Sequence, residues 1–389
     1  MNFLNLNLSK DGEFLTEVIR HRDHLRVTKL KQLYIELGDD YAFDICHHNK
    51  IVSIAADSLS KCGVELPQRW DIEFKKVSSQ VTQYMDELDK AADLLLDANI
   101  PLIALKNSGI ARSLYKHPGA SPMGDIDVLV RKSDFRKAHE ILTSKGYILK
   151  FRSPLEEENL ELAEQGGGAE YSVKMESGEH LWFELQWRPV AGRWIRPDQE
   201  PKADSLVARS ITIEDSSARL LHPLDNLLQV CLHTAKHSYV RAPGFRLHTD
   251  VDRIVRSQQI EWDIFLNMVI KSELRTSVFF SLAFAHDLMG TPIPKCVLES
   301  LAPPPWKLSL MTRWLENVGL FDPDGKKWSR LGYIVFVSLL YDNLSGFIRG
   351  VIPSRQSMIE KYGNVSLINL PFFYVRRIYD LIFRRTLVK

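Results

Sequence analysis

Apolar residues in the N-terminal part of the chain recur at helical spacing. From Phe14 to Leu37 they fall at Val18, Ile19, Leu25, Leu30, Leu33, Tyr34 and Leu37, which predicts helix with one buried face. Lys50 to Cys62 predicts a second helix, stopped by Gly63. Val77 to Ala98 predicts a third, with Val81, Tyr84, Leu88, Ala91, Leu95 and Ala98 on one stripe. The pattern then changes. Leu102 to Leu105 is apolar throughout, as in a central strand. Lys106 to Gly109 predicts a turn, and Ile110 to Tyr115 the start of a helix. A loop from His117 to Gly124, stiffened by Pro118 and Pro122, delivers a second strand that ends at Val130.

The next helix has Ser133 as its expected cap, Phe135, Ala138, Ile141 and Leu142 inward, and Gly146 as its stop. Tyr147 to Phe151 resumes as a strand. The acidic stretch from Glu156 to Glu164, with Gln165 to Gly168 after it, predicts a mobile surface segment. A hairpin follows: Glu170 to Glu176, a Ser177-Gly178 turn, and Glu179 to Trp187. From His222 onward the chain reads as helices, with Pro223 at a helix start and another helix from Leu247 to Arg256. The tail is an amphipathic basic helix carrying Arg376, Arg377, Arg384, Arg385 and Lys389. It reads as a solvated terminal helix, or as a contact for a membrane surface or a protein. No internal repeat is present.

The chemistry concentrates on the second strand. Strand side chains alternate between faces, so Asp125, Asp127 and Leu129 point to one side and Ile126, Val128 and Val130 to the other. Two like charges side by side destabilise a strand unless a cation offsets them. A divalent metal is the natural offset, and oxygen ligands favour Mg2+ or Mn2+. On the returning hairpin strand Glu184 shares a face with Trp182 and Gln186, opposite an apolar face, and offers the third carboxylate such a pair needs. At the turn Lys106-Asn107-Ser108-Gly109, the following helix N-terminus suits a phosphate, with a hydroxyl from Ser108 and a charge from Lys106. The plainer reading is an ordinary strand–helix turn capped by Ser108. His233 and His237 share a helix face without an HExxH pattern, so core or substrate-contact roles are expected. His47-His48 reads as a cap or surface feature. Asp250 and Asp252 diverge on their helix and do not make a second metal pair.

Composition narrows the picture further. The 389 residues, 45% hydrophobic and 25% charged, are ordinary for a globular chain of two or three domains. A net charge of +1 gives no bulk field for a polyanion. Cys46, Cys62, Cys231 and Cys296 are scattered and form no CxxC pair, which points to a reducing, cytoplasmic setting without zinc or disulfides. The N-terminus lacks a signal-peptide pattern. The longest apolar run, Tyr333 to Tyr341, is too short to cross a bilayer and reads as a buried helix.

Together these pieces resemble the polymerase-beta-like nucleotidyltransferase superfold. More narrowly, the chain is similar to an uncharacterised nucleotidyltransferase family of bacteria. The similarity rests on Ile100-Pro101, Leu105-Lys106-Asn107, Tyr115, Ser121-Pro122-Met123-Gly124-Asp125-Ile126-Asp127-Val128-Leu129-Val130, Gly146-Tyr147 and Glu184-Leu185-Gln186-Trp187-Arg188. It continues through Leu232-His233, His237, Asp250-Val251-Asp252-Arg253 and Ile352-Pro353-Ser354. Departures fall at Asn107, Ser121 and Gln186, where the family has glycine, arginine and histidine; asparagine tolerates the left-handed backbone that glycine would supply.

The resemblance implies an α+β fold: a small mixed β-sheet core at residues 86–215, N-terminal helices at 1–85 and a C-terminal helical domain at 216–389. It implies an enzyme that moves a nucleoside monophosphate from an NTP to an acceptor hydroxyl and releases pyrophosphate. Asp125, Asp127 and Glu184 would hold Mg2+ or Mn2+, with Glu184 also the base, while Lys106, Asn107, Ser108 and Gly109 would meet the phosphates. His233, His237 and Arg253 would line the acceptor pocket. Near-neutral charge favours a small molecule or peptide as acceptor over a long nucleic acid, though an RNA end fits too. The alternatives are a catalytically weakened nucleotide-binding or scaffold protein on the same fold, and a phosphotransferase attacked at the γ-phosphate.

Overall fold

The computed structural model describes residues 3–20, 24–153, 157–175, 178–190, 195–196, 198–237, 244–317, 320–321, 329–363 and 365–382. The fold is α+β, as expected. Its sheet is built from β1 (Ile103–Ala104), β2 (Ile126–Leu129), β3 (Ile148–Leu149), β4 (Gly168–Lys174), β5 (His180–Gln186), β6 (Ile211–Ile213) and β7 (Ser216–Leu220). The strand order is β3-β4-β5-β2-β1-β7-β6. β2 pairs parallel with β5 and β1 parallel with β7, while the remaining neighbours are antiparallel. β2 lies mid-sheet and is buried along its whole length, as its run of β-branched and apolar residues requires.

Alternation divides the sheet's two faces. Ile126, Val128, Phe183 and Leu185 pack against Val81, Leu88, Ala91 and Leu95 of the helix Gln68–Leu96 and against Phe135, Ala138 and Leu142 of the helix Phe135–Ser144. On the other face Ile103, Leu105 and Leu129 meet Ala203, Leu206 and Val207 of the helix Ala203–Arg209. This cover leaves Asp127 and Glu184 on a face shared with polar groups.

The N-terminal and C-terminal helices share one core. Phe14, Leu30, Leu59 and Trp70 cluster with Leu227, Phe279, Phe280 and Phe284. At its centre is the helix Arg275–Met289, apolar nearly all round and buried over most of its length. The helix Gln68–Leu96 spans the expected boundary at residue 85, with Trp70 in the helical core and Val81 onward under the sheet. Among the described residues no helix is long and apolar enough to cross a membrane. The apolar run at Tyr333 falls in the helix Arg330–Leu339, with Phe336 buried and Val335 exposed. The cysteines are free.

Several local expectations are corrected. Phe14 to Leu37 is two helices, Lys10–Ile19 and His24–Leu37. The helix Asp39–His48 follows directly and contains His47 and His48; Gly38, at φ 78, turns the chain between them. The expected mobile segment holds the helix Leu160–Gly166, because the Asn159 side chain caps its start and Gly167, left-handed at φ 107, ends it. Ser133 does not cap its helix; the chain enters through a 3-10 turn, Lys132–Asp134. β6 and β7 were not anticipated, being short strands joined at Asp215, which is left-handed at φ 53. The hairpin turn at Ser177 and the tail residues Arg384, Arg385 and Lys389 lie outside the described residues.

Candidate functional site

The site is assembled by strand register. Parallel pairing sets Asp127 of β2 beside Glu184 of β5. Asp125, two residues before Asp127, joins the same side by alternation. Each of the three carboxylates offers an oxygen, and these oxygens lie within 4.8 Å of one another. Asp127 is buried, while Asp125 and Glu184 are half-buried.

Cations and amides hold this cluster in place. Lys106 Nζ donates to Asp127 Oδ1 at 2.6 Å and lies 3.9 Å from Glu184. Gln186 Nε2 donates to the same Asp127 oxygen at 2.9 Å. Arg152 donates to Asp125 at 2.5 Å, grips Glu170 at 3.1 Å, and reaches to 3.7 Å of Glu184. Burial pushes the Asp127 carboxyl well above the usual carboxylate range; Lys106 draws it down, while Asp125 and Glu184 add like-charge repulsion. Burial alone would discharge Lys106, yet Asp127 and Glu184 hold its ammonium above the ordinary value. Both shifts have one source: a buried cluster with surplus negative charge binds protons tightly.

The loop after β1 serves the strand directly. Ser108 is fully buried, and its Oγ accepts from the Asp127 backbone N–H at 2.9 Å. The helix Lys106–Ser113 begins at Lys106 itself, without the separate turn anticipated. The left-handed residue is Lys106, at φ 50, and not Asn107. That strained backbone is steadied from the helical half, where Gln229 Oε1 accepts from the Lys106 N–H at 3.2 Å. Asn107 is buried, and its Oδ1 has no hydrogen-bond partner among the described residues. Gly109 is a packing residue: a Cβ there would stand 2.6 Å from the Ala104 carbonyl oxygen and 2.7 Å from Leu220 Cδ1.

The helical-half candidates separate from one another. His233 and His237 pack ring to ring, 4.7 Å between centroids, in the helix Pro223–His237. They repeat at four residues from Gln229, so the histidine pair continues the stripe that touches Lys106. Arg253 stacks on the Tyr115 ring at 4.3 Å and does not bond the triad. Sequence reasoning missed Arg152, Glu170, Gln229 and Arg246. Glu170 was readable, since hairpin register places it opposite Glu184. The others arrive from distant chain and carried no local signal. Arg246 is buried, and its guanidinium donates to the Pro122 carbonyl oxygen at 2.7 Å, beside the buried Ser121.

The donor set is carboxylate oxygen throughout, the chemistry of a hard divalent cation, and Lys106 and Arg152 offset only part of its charge. The residues therefore fit a metal ion. A mixed sheet with this acidic cluster on one face, flanked by helices, is the architecture of a nucleotidyltransferase core. The profile of a family described as uncharacterised nucleotidyltransferase matches residues 36–290. The chain belongs to that family. Comparison with curated proteins and with solved structures gives no match.

Proposed function

We propose that the protein transfers a nucleoside monophosphate from an NTP to an acceptor hydroxyl and releases pyrophosphate. The observation that carries this reading is the register of β2 against β5, which sets Asp127 beside Glu184 with Asp125 on the same face. Asp125, Asp127 and Glu184 would hold Mg2+, or Mn2+ in its place. Such an ion supplies neutralising charge and Lewis acidity to the phosphate oxygens.

The remaining work falls to the chain. Lys106 draws the Asp127 carboxyl back toward its ionised form and orients it, and Gln186 fixes the same oxygen from β5. Ser108 pins the β2 backbone, so the carboxylates hold their spacing without rearrangement. Glu184, half-buried at the edge of the cluster, accepts the proton of the acceptor hydroxyl as its oxygen bonds to the α-phosphorus. The bond from the α-phosphorus to the bridging oxygen breaks, and pyrophosphate carries away that electron pair. The stripe of Gln229, His233 and His237 gives the acceptor a polar wall beside Lys106. With a net charge of +1, a small molecule or peptide suits that wall better than a long nucleic acid.

Pyrophosphate release tests the reading. Wild type with NTP, Mg2+ and a cell extract as acceptor source should release it in step with nucleotide consumed, and Glu184→Gln should lower the rate at least about a hundredfold, the scale of a lost general base. Release of phosphate or nucleoside diphosphate instead would contradict it. One observation favours a second reading, nucleotide binding without turnover: Lys106 and Arg152 already pair with the triad. That reading expects nucleotide binding and no pyrophosphate.

A further inference from the structure

Three cations approach the acidic cluster, and two of them are engaged by it. Lys106 is held by Asp127, and Arg152 by Asp125 and Glu170. The third, Arg246, differs. It sits on the 3-10 turn Gly244–Leu247 that leads into the helix His248–Ser257, yet it reaches across to the loop feeding β2. Pro122, whose carbonyl it grips, lies three residues before Asp125; Asp250 acts most strongly on the Arg246 charge, with Tyr115 and then Asp125 behind it. Its side chain is buried, with only 8% of the residue exposed, and its Nε–H has no hydrogen-bond partner among the described residues. A guanidinium is a fork of donors shaped for a carboxylate or phosphate, and leaving one of its N–H groups buried and unpaired is costly. The buried carboxylate of the helical half that acts on Arg246, Asp250, is shared with Arg253.

Several backbone donors near the triad are already occupied. The Lys106 N–H is taken by Gln229. The Ser108 and Gly109 N–H groups bond to the Leu105 carbonyl, while the Ser108 hydroxyl oxygen accepts from the Asp127 N–H. Beside them stands an arginine with an unmet donor, anchored to the chain that delivers the first carboxylate.

We propose that Arg246 is an anion seat of this site and receives a phosphate group of the donor's polyphosphate chain, so that the helical half completes the nucleotide site. The proposal rests on the nucleotidyl-transfer reading for the identity of the donor. The seat itself is tested with inorganic tripolyphosphate, which needs neither acceptor nor turnover.

Calorimetric titration of the full chain with tripolyphosphate and Mg2+ compares wild type, Arg246→Gln and Arg246→Lys. Loss of a charge-assisted hydrogen bond predicts weakening of roughly ten- to a hundredfold in the glutamine variant, with the lysine variant between it and wild type. Adenosine binding should stay unchanged in both, a result that a merely structural role for Arg246 would not give. The second measurement needs no folded variant: in the 1H–15N arginine Nε spectrum of wild type, the Arg246 resonance should shift as tripolyphosphate is added. Equal tripolyphosphate affinity in wild type and Arg246→Gln, an unmoved Nε resonance, or no tripolyphosphate binding by wild type overturns the proposal. If wild type binds tripolyphosphate through Arg246 but moves no nucleotide, the transfer reading falls and the seat stands. If wild type transfers nucleotide and Arg246→Gln binds tripolyphosphate normally, the seat alone falls.

Discussion

Replacing Lys106 by methionine removes the cation that compensates Asp127 while keeping a long side chain. The ammonium lies 2.6 Å from Asp127 Oδ1, and the two side chains are 14% and 6% exposed, so water screens the pair little. Asp127 would keep the Gln186 amide at 2.9 Å. Removing one partner of a buried ion pair costs about 3–5 kcal/mol, because the other group must keep its charge uncompensated or take up a proton. For a chain of 389 residues, an unfolding entropy of about 2 cal/mol/K per residue turns that cost into a fall in Tm of about 4–6 °C. A divalent ion among the three carboxylates supplies the missing charge. Mg2+ or Mn2+ should therefore raise the Tm of Lys106→Met more than that of wild type, and Lys106→Met with Asp127→Asn should recover much of the loss in chelator. Scanning calorimetry in chelator and in a metal series measures all of this. A Lys106→Met protein that melts with wild type in chelator, or responds to metal no more than wild type does, refutes the reasoning.

Other consequences follow from the same geometry. Gly109→Ala forces a Cβ to within 2.6 Å of the Ala104 carbonyl, which should cost about 1–3 kcal/mol in chemical denaturation and weaken metal binding as Lys106 shifts. Arg152→Gln takes a cation from Asp125 and Glu170, so titration with Mn2+ should find tighter binding than in wild type; weaker binding would contradict the picture of Arg152 as a competing charge. Burial raises the Asp250 carboxyl to about 6 despite Arg246 and Arg253. The folded state then holds that proton more tightly than the unfolded chain. The group's contribution is most favourable below the unfolded pKa and is lost as pH rises through the folded one, to a total of about 3 kcal/mol. Asp250→Asn should flatten the fall in stability between about pH 4 and 7, followed by denaturation midpoints; an unchanged slope would be the contrary result.

What the sequence revealed follows periodicity. The Asp125–Asp127 strand, the Glu184 hairpin and the Pro223 helix are all marked by a local pattern, and family similarity joined them into a site. Register then did what alternation implied, setting Glu184 beside Asp127. Interactions between distant segments were not legible. Arg152 lies just past the short β3, and Gln229 is one of several polar residues on an amphipathic helix. Arg246 follows a glycine and a phenylalanine with nothing to single it out. The left-handed turn at Lys106 was misplaced onto Asn107, because residue type suggests where such a backbone is tolerated, whereas the Gln229 bond and the carboxylate pairing decide where it is held. β6 and β7 are too short for alternation to register and exist because β1 offers β7 a parallel edge.

The central claim is nucleotidyl transfer at the Asp125, Asp127 and Glu184 cluster. It is tested most directly by running α-32P-labelled and γ-32P-labelled NTP side by side, with Mg2+ or Mn2+ and a cell extract, on wild type and Asp127→Asn. The account predicts that the α-label moves into a product while the γ-label leaves in pyrophosphate, and that both events vanish in the variant although it stays folded. The γ-label moving into the product, or transfer of the α-label persisting in Asp127→Asn, would contradict it.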